Sequence, residues 1–284
     1  MIHLRLWKRW MLAGCVAAVL LFVFAPIAWL VISSISTRTE LLAMPPHWIP
    51  RQPSLANYRD ILWSAEGASQ VARIFKLTLC NSLIVAISVT TISLAVGALA
   101  AYAMTRMYFP FRRLFFVGIL ATRMVPEISL VIPLYLLASR VGLINTPYIL
   151  IATYLSFSLP FAIWLMGAFF ETLPRDLEDA GRMDGCSSAG ILFRIIMPVS
   201  APGLVSTALF TFLMAWDEFF FALILTSNVA AKTAPVAIAE FAGRYVVDIT
   251  GMMTGGVLAA IPPVVLALVF QRYIVRGLTA GTVK

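Results

Sequence analysis

The sequence predicts an all-α integral membrane protein with six transmembrane helices, and three observations predict it. The 284-residue chain is 61% hydrophobic and only 12% charged, about half the charged fraction with which a soluble domain covers its surface. Its mean hydropathy is +0.93. The apolar residues come in continuous runs of about 20 or more, the length that crosses a bilayer as a helix, whereas a membrane β-barrel shows alternating segments of about ten.

The runs fall at about 11–35, 77–104, 114–138, 147–170, 204–226 and 252–273, within a single membrane domain over 1–284. The first is preceded by Arg5, Lys8 and Arg9, as a signal peptide would be, but it is too long for one. Leu12-Ala13-Gly14-Cys15 has the look of a lipoprotein cleavage box, yet the hydrophobic segment follows the cysteine instead of preceding it. A retained first helix is expected. The loop 36–76 carries Pro45-Pro46, Trp48, Pro50, Pro53 and Asn57-Tyr58, which predicts a structured outer cap with short helical pieces. The second run closes at Arg106. The third holds Arg123, Pro126, Glu127 and Pro133, and its prolines predict a kinked or opened helix. The fourth leads into a second long loop, 171–202, and the fifth contains Asp217 and Glu218.

The net charge of +8 does not point to nucleic acid, because the cations sit in small groups between apolar runs instead of forming one patch. With both termini cytoplasmic, twelve cations fall on inner segments and eight on outer ones, with Arg123 left inside a span. That asymmetry favours both ends inside. Three cysteines, Cys15, Cys80 and Cys186, give no disulfide framework.

No GxxxxGK[ST] phosphate loop exists, since none of Lys8, Lys76, Lys232 and Lys284 follows a glycine. His3 and His47 are the only histidines and lie outside the spans. An HExxH metal site, a Ser-His pair and histidine proton relays are therefore excluded. No catalytic residue and no metal site is expected.

The loop 171–202 has the strongest signal. Its stretch PRDLEDAGRMDGCSSAGILFRIIMP begins with Pro and acids, as a helix N-terminus should. Leu177, Ala180 and Gly181 form one small-residue face at i, i+3 and i+4, open to the close approach of a partner backbone. Asp184-Gly185 stops the helix, and Ser187-Ser188 can cap a second one bearing Ile191, Leu192, Ile195 and Ile196. Residue chemistry alone leaves open whether this pair of short helices is a docking element or an ordinary amphipathic connector.

These residues resemble the permease subunits of binding-protein-dependent ABC importers. The family's EAA motif reads Glu-Ala-Ala, three residues, Gly, nine residues, then Ile, any residue, Leu-Pro. Here it stands as Asp179-Ala180-Gly181, Gly185 and Ile195-Ile196-Met197-Pro198, with the spacing kept and substitutions that preserve size or charge. The likeness covers nearly the whole chain and points to the carbohydrate branch, MalG type. Asn81-Ser82, Ala101-Tyr102-Ala103 with Arg106, Gly142-Leu143-Ile144, Leu159-Pro160-Phe161, Trp216-Asp217-Glu218 and the tail 277–284 all look like that branch.

The resemblance implies the fold of a type I ABC importer permease whose cytoplasmic coupling helices dock on an ATPase. Asp179, Ala180, Gly181, Asp184, Gly185, Ile195 and Pro198 would then be the ATPase-coupling residues. It also implies a second, MalF-like permease, a MalK-like ATPase homodimer that binds the ATP and Mg, and a periplasmic or lipid-anchored solute-binding protein docking on 36–76 and 227–250. This chain would hold no cofactor, meet membrane lipid but no nucleic acid, and sit in a bacterial inner membrane.

Ionisable residues within spans are costly, about 2.5 to 3.5 kcal/mol each at a helix centre, so they face protein or water. Arg123 and Glu127, four apart, can pair with each other or line a solute path. Asp217 and Glu218 would point about 100° apart on a helix. Trp216, Phe219, Phe220 and Phe221 fit sugar stacking and fit plain helix packing. Glu127, Trp216, Asp217, Glu218 and Phe220 are the candidate solute pathway. The competing class is an ion-coupled carrier using Glu127, Asp217 and Glu218, although six spans without an internal repeat are half of a usual carrier. A bare channel or scaffold would leave the loop 171–202 unexplained.

Overall fold

The structure, a computed structural model, describes residues 6–44, 48–63, 68–243 and 247–280. His3, Arg5, Pro45-Pro46, His47, Arg244, the tail 281–284 and the side chain of Arg276 lie outside the described residues. Among the described residues the chain is helical, with one isolated backbone bridge between Ala242 and Val247. Its contacts divide into two compact units: Met1–Lys76 with Ala237–Ala260, and Leu77–Val236 with Ile261–Lys284.

The first unit begins with α1 (Leu6–Ile35), followed by the short α2 (Arg38–Leu41) and α3 (Ala56–Trp63). The chain after α1 is ordered by polar side chains. Thr37 and Glu40 form a reciprocal capping box on α2, and the Glu40 carboxylate also accepts the Arg51 and Gln52 amides at 2.8 and 3.0 Å. The Ser34 hydroxyl is 2.7 Å from that of Tyr58 on α3. Trp29 packs edge-on against Trp48, 5.0 Å between ring centres. The cap expected for 36–76 therefore carries short helices and a hydrogen-bonded turn in its described residues. Asp248 caps the start of α14 (Ile249–Ala280) by accepting the Gly251 amide at 2.9 Å.

The second unit is built around most of α4 (Gln70–Arg106), then α5 (Arg112–Ala121), α6 (Glu127–Arg140) and α7 (Pro147–Glu171). Three short helices follow in the long loop: α8 (Asp176–Met183), α9 (Ser188–Ile191) and α10 (Met197–Val199), the last two joined by a π-helical turn at Leu192–Ile196. The unit continues with α11 (Ala201–Trp216), α12 (Phe220–Leu225) and the start of α13 (Ala234–Glu240).

Among the described residues four helices are long and apolar enough to cross a membrane, and up to six spans result if each of two bent pairs, Arg112–Met124 with Glu127–Arg140 and Ser188–Val199 with Ala201–Trp216, is one span. Lipid is as apolar as leucine, so such helices associate through close packing and small residues instead of a hydrophobic gain. Here a Cβ on Gly97 of α4 would lie 3.2 Å from Ala162 of α7, and one on Gly167 of α7 would lie 3.3 Å from Thr105 of α4. One buried cluster holds Val85, Ala86, Val89, Tyr154, Phe212, Trp216 and Phe221. A second, at the Arg106 end of α4, holds Ala98, Ala101, Tyr102, Phe170, Ile191, Leu192 and Ile196.

Two expected spans are interrupted. Thr122–Met124 is a 3-10 turn, and the helices on either side of the break meet at 91°. Pro126 explains the position, because its ring forbids a helical hydrogen bond and pushes Val125 into the extended conformation it adopts. The segment 204–226 is divided at Asp217–Phe219 into α11 and α12. Asp217 and Glu218 are therefore not on a continuous helix, and the 100° argument does not apply to them.

Candidate functional site

The loop between α7 and α11 is fixed from below by Arg106, the last residue of α4. Its Nε lies 3.3 Å from the Glu178 carboxylate, with both side chains 4% exposed. The same guanidinium donates to the Phe170 carbonyl and, at 2.7 Å, to that of Leu173. Arg182 adds ion pairs to Glu178 at 3.5 Å and Asp179 at 2.8 Å. A buried guanidinium needs polar partners and a counter-charge: the carbonyls of Phe170, in the last turn of α7, and of Leu173, just after it, accept from one terminal nitrogen, and the Glu178 carboxylate of α8 supplies the opposite charge.

Helix α8 starts with Asp176, Glu178 and Asp179 in its first turn, which suits the positive end of the helix dipole. It ends in a Schellman motif: the Cys186 amide donates to the Gly181 carbonyl at 2.9 Å and the Gly185 amide to Arg182 at 3.0 Å. Gly185 sits at φ +80°, the left-handed region the motif requires. Ser187 then caps α9 by accepting the Gly190 amide at 3.2 Å. The turn and the second cap stand where the sequence placed them. The small-residue face is kept only in part, with Ala180 exposed and Leu177 partly buried. Gly181 is buried against Ile191 and Ile195 of the following segment, so its missing side chain makes room for the loop's own second half. Exposed on α8 are Asp176, Asp179, Ala180, Arg182 and Met183, with Asp184 and Gly185 after it. Ile195 is partly buried and Pro198 exposed.

The intramembrane candidates meet elsewhere in the same unit. Glu127, Asp217, Glu218, Phe219 and Phe220 line one cavity with Phe157 and Met214, about 330 Å³ in volume. Glu127 is the first residue of α6, Asp217 is the C-cap just after α11, and Glu218 accepts the Phe221 and Ala222 amides of α12 at 2.7 and 3.1 Å. Glu218 is thus a helix cap as well as a wall. Arg123 does not pair with Glu127 but donates to the Phe157 carbonyl at 2.9 Å, because the break at 125–126 removes the helical spacing that would bring the two together. Trp216 is 3% exposed and stacks on Phe212, outside the cavity lining, and Phe221 is buried against Phe157. Packing accounts for those two rings, whereas Phe219 and Phe220 face the cavity.

Several residues escaped the sequence reading. Glu178 had a signal in its i, i+4 spacing to Arg182, and Met183, 89% exposed, was an apolar residue on a polar helix. Asn145 had a weaker one. It adopts φ +61°, and its side-chain carbonyl accepts from the Ser227 and Asn228 amides, tying the α6–α7 turn to the chain after α12.

Residues 93–280 match the family described as the binding-protein-dependent transport system inner membrane component. The chain belongs to that family. It is a membrane-spanning permease subunit of an ABC importer, and its relatives are transport components, not enzymes. The permease is 38% identical to the trehalose transport system permease protein SugB of Mycobacterium tuberculosis, over 93% of each chain. It is 36% identical to the trehalose/maltose transport system permease protein MalG of Thermococcus litoralis, over 96% of each. Its fold matches a chain of a bacterial ABC transporter that imports the acidic polysaccharide alginate, with a TM-score of 0.77, 22% identity, and coverage of 96% of this permease and all of that chain. At that identity the likeness shows the fold alone.

Proposed function

We propose that this permease passes a sugar or sugar-like solute across a bacterial inner membrane, in a path formed with a second permease and driven by two copies of a cytoplasmic ATPase. The observation that carries the carbohydrate reading is the pair of relatives named for trehalose and maltose, at 38% and 36% identity over more than nine-tenths of the chain. Both termini lie in the cytoplasm, and ATP and Mg reside on the ATPase, not on this chain. A solute-loaded binding protein docks on the outer segments 36–76 and 227–250.

The coupling site is the loop from Asp179 to Pro198. Asp179, Ala180, Asp184 and Gly185 present its accessible edge, while Gly181 and Ile195 hold the two halves together and Pro198 leads into α11. Met183 joins the set because an exposed methionine packs adaptably against an apolar groove. ATP moves the transporter only if it binds one conformation better than the other, since a ligand with equal affinity for both shifts nothing. The loop transmits that preference to α4 and α7 through Arg106. The cavity of Glu127, Asp217, Glu218 and Phe220 is this subunit's part of the solute path, with carboxylates for sugar hydroxyls and a ring for a sugar face.

The test is to tag the permease, extract it in mild detergent and identify what accompanies it. Recovery of a second permease and an ATPase whose hydrolysis rises with a sugar-loaded binding protein is the expected outcome. Recovery of the chain alone, with uptake that follows an ion gradient and ignores ATP, would overturn it.

A further inference from the structure

A polar pocket and an apolar groove adjoin at the start of α5. The pocket, about 550 Å³, is lined by Tyr108, Phe109, Pro110, Phe111, Arg112 and Arg113. The groove, about 530 Å³, runs along Phe111, Leu114, Phe115, Gly118, Ile119 and Thr122. Phe111 belongs to both, 73% exposed and held at φ +62°, a conformation that residues with a Cβ rarely adopt.

The charges around the pocket are unbalanced. The guanidinium groups of Arg112 and Arg175 lie 5.3 and 5.7 Å from the Tyr108 ring centre, and Arg175 donates to its hydroxyl at 2.8 Å. None of Arg112, Arg113 and Arg175 has a carboxylate within ion-pair distance among the described residues. The first amides of α5 have no side-chain cap, which adds the positive end of a ten-residue helix to the same place. Cations, aromatic rings and uncapped amides thus stand where a polar turn gives way to an apolar helix face, the level of lipid headgroups.

We propose that this surface binds an anionic glycerophospholipid, with the phosphate held by Arg112, Arg113 and Arg175 and an acyl chain lying in the groove over Gly118. Charge complementarity selects an anion, and the continuity of pocket and groove through Phe111 selects one that carries a hydrocarbon chain. A Cβ on Gly118 would meet nothing within 4 Å, so the floor of the groove has room for that chain. The inference rests on the membrane-spanning reading and is independent of the coupling role of the loop.

The assay is native mass spectrometry of the complete transporter purified in mild detergent, reading retained phosphatidylglycerol or cardiolipin. At about a fivefold effect per basic residue near a lipid surface, Arg112→Gln/Arg113→Gln should lower retention roughly thirtyfold. Lys8→Gln/Arg9→Gln, the same charge change on α1, should leave it unaltered. Gly118→Phe, which fills the groove and keeps the cations, should lower it as well. Equal loss from the α1 control would reduce the effect to surface charge and overturn the site. Unchanged retention in Gly118→Phe would mean that the lipid is held by its headgroup alone and would overturn the groove as the acyl-chain site. Loss of the second permease from either variant, visible in the same spectra, would make the face a subunit interface and also overturn the proposal. A wild-type chain that carries no second permease or ATPase at all would instead count against the transporter reading.

Discussion

Arg106 and Glu178, far apart in the chain, form a buried ion pair that joins the last turn of the long helix α4 to the first turn of the loop helix α8. Removing one partner strands the other charge in the interior, whereas replacing both with apolar residues of similar volume does not. Glu178→Ala should therefore destabilise the permease by about 3–5 kcal/mol, and Arg106→Met/Glu178→Leu should cost less than either single change. Melting of the purified complex followed by tryptophan fluorescence reads this directly. A double variant as unstable as the sum of the singles would show that the two side chains do not act as a unit. Because the pair links loop to span, the double variant should also move less solute per ATP hydrolysed than the wild type, even at restored stability.

The two glycines of α8 and its turn should fail in different ways. A Cβ on Gly181 would lie 2.7 Å from the Ile195 side chain and 3.2 Å from that of Ile191, so damage there grows with size. Gly185 has nothing within 4 Å of a Cβ, and only its φ of +80° opposes substitution. Gly185→Ala and Gly185→Trp should each cost about 1–2 kcal/mol and melt alike. Gly181→Leu should melt well below Gly181→Ala. Any loss of ATPase stimulation in Gly185→Trp beyond that in Gly185→Ala then reports contact with the partner groove. Equal stimulation in the two variants would place Gly185 outside it.

Much of this was legible in the sequence because it depends on local chemistry. Apolar run length pointed to the four long apolar helices found among the described residues, and Gly185 and Ser187 marked a helix stop and start that need no tertiary information. What the sequence concealed depends on contacts distant in the chain. Arg106 meets Glu178 only after α4 and the loop are packed, and Gly181 looks like a docking surface until Ile191 and Ile195 are folded over it. The spacing of Arg123 and Glu127 suggested an ion pair on the assumption of one helix. Pro126 was the clue against that assumption, since a proline breaks the spacing that i, i+4 arguments rely on.

Asp217 and Glu218 share a cavity but not a duty. The Glu218 carboxylate accepts two amides at the start of α12, while among the described residues no hydrogen bond of the Asp217 side chain ties it to a neighbour. Glu218→Ala should cost about 0.5–2 kcal/mol, as loss of a helix cap does, and lower uptake together with melting temperature. Asp217→Ala should lower uptake with melting unchanged. Parallel uptake and melting measurements separate the two, and an Asp217→Ala variant that melts like Glu218→Ala would contradict the division.

Glu40 gives the outer segment a pH dependence whose sign follows from its partners. Glu40 is partly buried. Desolvation is the largest single influence and raises its pKa, but the amides of Thr37, Arg51 and Gln52, which donate to the carboxylate, together outweigh it and hold the group below the ordinary glutamate range. A depressed folded value means that the unfolded chain binds the proton first as pH falls. The stabilisation is therefore fully present above the ordinary range, declines as pH drops through it, and is gone below the lowered folded value. Hydrogen exchange at the Arg51 and Gln52 amides, corrected for intrinsic rates, should show protection at neutral pH that is lost in mild acid. Glu40→Gln removes the titrating group, so its protection at these two amides should be weaker at neutral pH and flat across the same interval. Protection in the wild type that persists below that interval would mean the amides are held by something other than this carboxylate, and the ordering of 48–63 would have to be sought in the Trp29–Trp48 contact instead.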